Sequence, residues 1–162
     1  MEVDILEDGA LDLPDQALSR LDLVVAAVHS HFNLPSEQQT ERILRAMDRP
    51  HFSILAHPSG RLMPERPSYP VDLERIILHA KDRGCFLELN AQPDRLDLTE
   101  NWCRIAKQHG VLLSLGSDSH STGDFRVLDY GIGQARRGWL EPGDILNCRP
   151  LATLKTLLRR TM

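Results

Sequence analysis

The sequence is short of the features that define several whole classes of protein. No apolar run in its 162 residues approaches the ~18 residues that a membrane-spanning helix needs. The N-terminus, MEVDILEDGA, is acidic where a secretory signal is basic and then apolar, so a cytoplasmic protein is expected. There are only three cysteines (Cys85, Cys103 and Cys148), far apart and outside any C-x-x-C spacing. They read as reduced thiols, not as a disulfide framework or a cysteine metal site. The formal net charge is −4, which lacks the basic footprint of a stand-alone nucleic-acid binder. Two catalytic motifs are absent as well. HPSGR (57–61) is too short for a P-loop and lacks its lysine. GSDSH (116–120) is not the G-x-S-x-G of a nucleophile elbow, so neither Ser117 nor Ser119 reads as a triad serine.

What is present is an ordinary globular composition, 41% hydrophobic and 26% charged, in one domain's worth of chain. Strand-like and helix-like stretches alternate. EVDIL is followed by a short helix in DQALSRL, then DLVVAAVHS, a continuous apolar run suited to a parallel strand buried on both faces. SEQQTERILRAMDR carries a capping box, Ser36-x-x-Gln39, ahead of an apolar stripe of Ile43, Leu44 and Met47. The strand FSILAHPSG precedes the helix VDLERIILHAKDRG, with its stripe of Leu73, Ile76, Ile77 and Ala80 and with Gly84 at its C-cap. CFLELN, the helix TENWCRIAKQHG and the strand LLSLGSD follow. A helix in FRVLDYGIGQARRG, a turn at EPGD and a terminal helix in RPLATLKTLLRR complete the chain. This alternation implies βα units and a parallel sheet.

The polar residues fall at the strand ends: His29 after VVAAV, His57 after SILA, Asn90 after FLEL and Asp118 after LLSLGS, with Glu2 on the first strand. In a parallel βα barrel all strand C-termini share one rim, where active sites lie. A doubly wound open sheet gathers strand ends only near its switch point, so the barrel explains more of the pattern. Asp118 and His120, two apart, are expected on one face of a strand. Histidines and carboxylates without cysteine suit Zn, Mn or Fe in an open site. Arg61 and Arg95 follow strand ends and have the planar fork that contacts phosphate. His51, His79 and His109 lie before a strand, inside a helix and near a helix end, and read as surface residues. Metals on such a rim lower the pKa of a bound water and neutralise phosphoryl oxygens, so metal-assisted phosphoester hydrolysis is the expected chemistry.

These residues resemble the PHP (polymerase and histidinol phosphatase) family, and most closely the PHP domain at the C-terminal end of bacterial family X DNA polymerases. The segments that carry the resemblance are EVDIL, VHSHF, ILAHPSGRL, YPVDLE, LELNAQPDRLDL, SDSH and YGIGQARRGWLEPGDILN, which together run along essentially the whole chain. The resemblance implies a distorted seven-stranded βα barrel with a three-metal centre. It further implies that Glu2 is a bridging carboxylate sharing one metal with His29 and His57, that Asp118 and His120 bind neighbouring metals, and that Arg61 and Arg95 lie near the substrate phosphate. Glu2 and Asp118 would then be the catalytic pair. The implied activity is 3′-to-5′ exonuclease or DNA-end processing in repair, with DNA reached through the polymerase context.

The family's opening H-x-H strand has no counterpart here. The chain is therefore expected to be the C-terminal part of a single PHP domain over residues 1–162, with about five of seven strands and at most about one tightly held metal. Its bared apolar interior and open sheet edges are expected to be met by an N-terminal PHP or polymerase region or by self-association, with no membrane partner. Two other readings remain: a non-catalytic PHP remnant acting as a scaffold, and a small-molecule phosphatase of the histidinol-phosphate type.

Overall fold

The computed structural model describes residues 2–159 and 161. Strands β1 (Glu2–Asp4), β2 (Val25–Ala27), β3 (Ile54–Leu55), β4 (Phe86–Asn90) and β5 (Leu113–Gly116) alternate with helices α1 (Asp15–Leu18), α2 (Ser36–Met47), α3 (Leu73–Arg83), α4 (Glu100–His109) and α5 (Leu128–Arg137). Helix α6 (Leu151–Leu158) ends the described chain; Arg160, which the sequence places in this helix, lies outside the described residues. Each strand pairs in parallel with the next, in the order β1-β2-β3-β4-β5. A doubly wound sheet would reverse this order at its switch point. The chain is thus an α/β protein arranged as a partial βα barrel. No helix among the described residues is long and apolar enough to cross a membrane.

Local chemistry sets the helix limits. The Asp72 carboxylate accepts from the Arg75 N–H at 3.1 Å and starts α3. Gly84 and Gly110 end α3 and α4 in the left-handed region, at φ 72° and 76°. The capping box expected at Ser36-x-x-Gln39 does not form. Pro35 is the N-cap, Ser36 is already helical, and Gln39 turns fully inward, its amide without a hydrogen-bond partner among the described residues.

Strand alternation divides the sheet into two faces. Val3, Ala26, Leu55, Leu87, Leu89 and Leu113 point to the convex face and pack against Ile43, Met47, Ile76, Ile77, Cys103 and Ala106 of α2, α3 and α4. On the concave face, Ile54 and Phe86 meet Leu146 and Leu158, with Val25, Leu112, Leu154 and Leu157 packed around them. Helix α6 therefore covers the N-terminal half of that face. The apolar interior expected to lie bare is in this half covered by the chain's own last helix. Thr161 fixes its end by hydrogen bonding to Ser53 Oγ at 3.0 Å. The other half of the concave face carries Glu2, Glu88 and Asn90, the same-parity residues of β1 and β4.

Candidate metal centre

Three neighbouring strands supply one cluster. Glu2 projects from β1, His29 follows β2 and His57 follows β3, and one ligand atom from each lies within 4.8 Å of the others. His29 Nε2 is 3.1 Å from Glu2 Oε1, and His57 Nε2 is 3.9 Å from the same oxygen. The two rings stand edge to face, their centroids 5.3 Å apart. A carboxylate and two imidazole nitrogens aimed at one point suit a divalent cation of the zinc type, bound by three protein ligands with a further position open. Without a cation, hydrogen bonds from His29 and then His57 hold the Glu2 carboxyl far below the usual carboxylate range. The Glu2 partner in turn raises His29 above the ordinary histidine value.

Residues behind the cluster fix it in place. Asp4 Oδ1 accepts the His29 backbone N–H at 3.1 Å and lies 3.6 Å from His29 Nδ1. His57 is 2% exposed and sits at φ 29°, a left-handed conformation uncommon for a residue with a side chain. Its backbone N–H donates to Glu88 Oε2 at 2.8 Å. Burial pushes the Glu88 carboxyl up to about 7, against the opposing pull of that N–H and of the Asn90 amide. His57 Nδ1 and Asp97 Oδ1 are buried and lack a hydrogen-bond partner among the described residues.

Asp118 and His120 stand apart from the cluster. Strand β5 ends at Gly116, and Asp118 adopts φ 48°, so Asp118 and His120 lie in a loop beyond strand alternation, with His120 Nδ1 3.9 Å from Asp118 Oδ1. Asp118 turns inward, its Oδ2 3.1 Å from Asn90 Nδ2 and 3.5 Å from Arg95 Nε. The His120 side chain is 86% exposed, its Nδ1 2.9 Å from the Asp118 carbonyl oxygen. Arg61 turns its fork onto the carbonyl oxygens of Arg95 and Leu96, and Arg95 Nη1 donates to the Arg61 carbonyl at 3.4 Å. The two arginines expected at phosphate therefore also clamp their loops to each other. Of the three histidines read as surface residues, His79 pairs with Asp48 at 3.0 Å. Cys85 and Cys103 are buried, and Cys148 is exposed; all are free thiols.

Sequence reasoning passed over the supporting residues Asp4 and Glu88. The signal was present in the i, i+2 pairs of EVD and ELN, where a second polar residue shares the face of the first.

No family model matches the chain. Over 160 residues it is 38% identical to the DNA polymerase/3′-5′ exonuclease PolX of Bacillus subtilis (strain 168), a match covering 99% of this chain and 28% of that protein. It is 37% identical over 157 residues to a probable phosphatase of Thermoanaerobacter sp. (strain X514), covering 91% of this chain and 62% of that protein. A probable phosphatase of Caldanaerobacter subterraneus is 34% identical over 135 residues, with 78% and 51% covered. The homologues of this chain thus include a polymerase–exonuclease and probable phosphatases. At the family level they support a phosphoesterase-type function. The chain spans less than two thirds of the length of each of these relatives.

Proposed function

We propose that the chain is the C-terminal part of a PHP-type, metal-dependent phosphoesterase domain, closest to that of a family X DNA polymerase and acting on DNA ends as a 3′-to-5′ exonuclease in repair. The observation that carries this reading is the convergence of Glu2, His29 and His57 on one point at the rim of a parallel sheet. The 38% identity to PolX over nearly the whole chain favours the polymerase branch. A divalent ion (Zn, Mn or Fe) held there supplies Lewis-acid chemistry at a phosphoryl group. Glu2, His29 and His57 would hold it, and hydrogen bonds from the two histidines lower the Glu2 carboxyl below the usual carboxylate range. Arg95, 17% exposed in its side chain and beside Asp118, is placed to neutralise a phosphate at the rim; Arg61 holds the Arg95 loop. His120 extends outward, where it would serve as a ligand of a further ion. The free thiols fit a cytoplasmic setting.

The test is hydrolysis by the metal-supplemented chain of a generic aryl phosphate, a single-stranded DNA 3′ end and histidinol phosphate. Release of nucleotides from DNA supports the polymerase-type reading. Turnover of histidinol phosphate alone supports the small-molecule phosphatase. Metal uptake without hydrolysis of any of the three leaves the scaffold reading. Strand β1 lies at one end of the sheet order, with strand pairing on its β2 side. We propose that this edge takes a strand from an N-terminal PHP or polymerase region, or from a second copy of the chain. Light scattering at micromolar concentration should then show self-association; a stable, cooperatively unfolding monomer would refute it.

A further inference from the structure

We propose that Asn90 is a positioning residue that ties the Glu2–His29–His57 cluster to the Asp118 loop through one side-chain amide, so that the two act as a single site. The inference rests on the metal-site reading above and assigns a role to the one strand-end residue left without one.

Asn90 closes β4, between the strand that delivers His57 and the strand that delivers Asp118, and is fully buried. Its Nδ2 lies 3.2 Å from Glu88 Oε2 and 3.1 Å from Asp118 Oδ2. Glu88 Oε2 also accepts the His57 backbone N–H at 2.8 Å. A continuous run of hydrogen bonds thus leads from His57 through Glu88 and Asn90 to Asp118. Both end residues are held at positive φ, 29° and 48°, conformations that persist only where surrounding contacts impose them. The other end of the amide works on the same loop. Asn90 Oδ1 accepts the Gln92 N–H at 3.0 Å, and Gln92 Nε2 donates to the carbonyl oxygens of Ser117 and Asp118 at 2.8 and 3.1 Å.

The residue type follows from this geometry. Two carboxyl groups converge on one buried position, and an NH₂ group can donate to both at once. An aspartate there would offer only acceptors and set three carboxyl groups against one another. An alanine would take one donor from each carboxylate, leaving Glu88 Oε2 with the His57 N–H and Asp118 with Arg95 alone, and a lost partner is costly at the buried Glu88.

The test uses the full chain. Zinc affinity is measured by competition with a chromophoric chelator for the wild type, Asn90→Ala, Asn90→Asp, Asp118→Ala, and each Asn90 variant combined with Asp118→Ala, with circular dichroism on every sample. Each Asn90 variant should weaken zinc by about 10- to 100-fold, as loss of an outer partner of a metal site does. Asp118→Ala should weaken zinc several-fold in the wild-type background and add nothing once Asn90 is replaced, because the link is already cut. Folded Asn90 variants that bind zinc like the wild type, or effects of Asn90 and Asp118 that multiply independently, would overturn the proposal. So would loss of the helical signal in both Asn90 variants, which would make the residue structural. A wild-type chain that takes up no zinc sinks the metal-site reading as well, which separates the two failures.

Discussion

At the β1–β3 side of the rim a carboxylate and two imidazoles from three strands face one another, while at the β5 side Asp118 turns inward to Asn90 and His120, its Nδ1 3.9 Å from Asp118 Oδ1, lies largely in solvent. The residue types are those of metal ligands on both sides; the backbone beneath them differs. Glu2 is carried inside a paired strand, and His29 and His57 each follow an adjacent strand with one residue between, so neighbouring β-spacing brings the side chains together. Asp118 also follows its strand with one residue between and is left-handed like His57, but β5 alone supplies both residues there, and the His120 side chain is 86% exposed. Ligand chemistry alone does not make a site; convergence of several strand ends does.

The sharpest test of this contrast is removal of one histidine from each side. His57→Ala should weaken zinc by more than the ~10- to 100-fold that loss of an outer-shell partner costs, whereas His120→Ala should leave the tightest-bound ion in place. Elemental analysis after gel filtration reads both; equal losses would break the contrast.

A smaller effect is expected where the two sides meet. A Cβ on Gly116 would lie 2.4 Å from Glu88 Oε1, and that carboxyl is held by the His57 N–H and the Asn90 amide. Gly116→Ala should cost about 1–3 kcal/mol, the usual penalty for overpacking, and should lower zinc affinity with it. Denaturant melts of the metal-free protein give the first quantity. An unchanged midpoint would show that Glu88 can move without loss.

Asp124 belongs to the β5 side alone: its Oδ2 accepts the N–H groups of His120 and Ser121, each at 2.8 Å. Asp124→Ala should speed hydrogen exchange at those two amides and leave zinc affinity at Glu2, His29 and His57 unaltered. The smallest expected effect is none. Burial pushes the Cys85 and Cys103 thiols up to about 12, and only Cys148 among the three is exposed. Iodoacetamide at neutral pH should add one label per native chain, by mass spectrometry, and leave zinc uptake unchanged. Three labels on the native chain would contradict the packed convex layer.

The alternation of elements, the stripe of α3 and the glycine stops of α3 and α4 were legible in the sequence because each is a local matter. Apolar periodicity selects a helix or a strand, and a residue without a Cβ accepts the left-handed turn that ends a helix. The metal-type residues at strand ends were legible for a similar reason, since a parallel sheet sends all its C-termini to one rim. The capping box at Ser36 was misread because the pattern also fits a helix whose Gln39 turns into the interior. Strand alternation does not relate Asp118 to His120, because alternation stops where the strand stops, and no residue in SDSH marks that point.

The sequence by itself thus determined which elements form, that they build a parallel α/β sheet, and which side chains stand at its rim. Tertiary structure alone decided that Glu2, His29 and His57 meet at one point while Asp118 and His120 lie outside that cluster, that α6 folds back over half of the concave face, and that Glu88 and Asn90 bind the two sides together. The first set depends on interactions within a few residues along the chain. The second depends on strand register, on where each strand ends and on contacts between residues far apart in sequence, which arise only once the strands are paired.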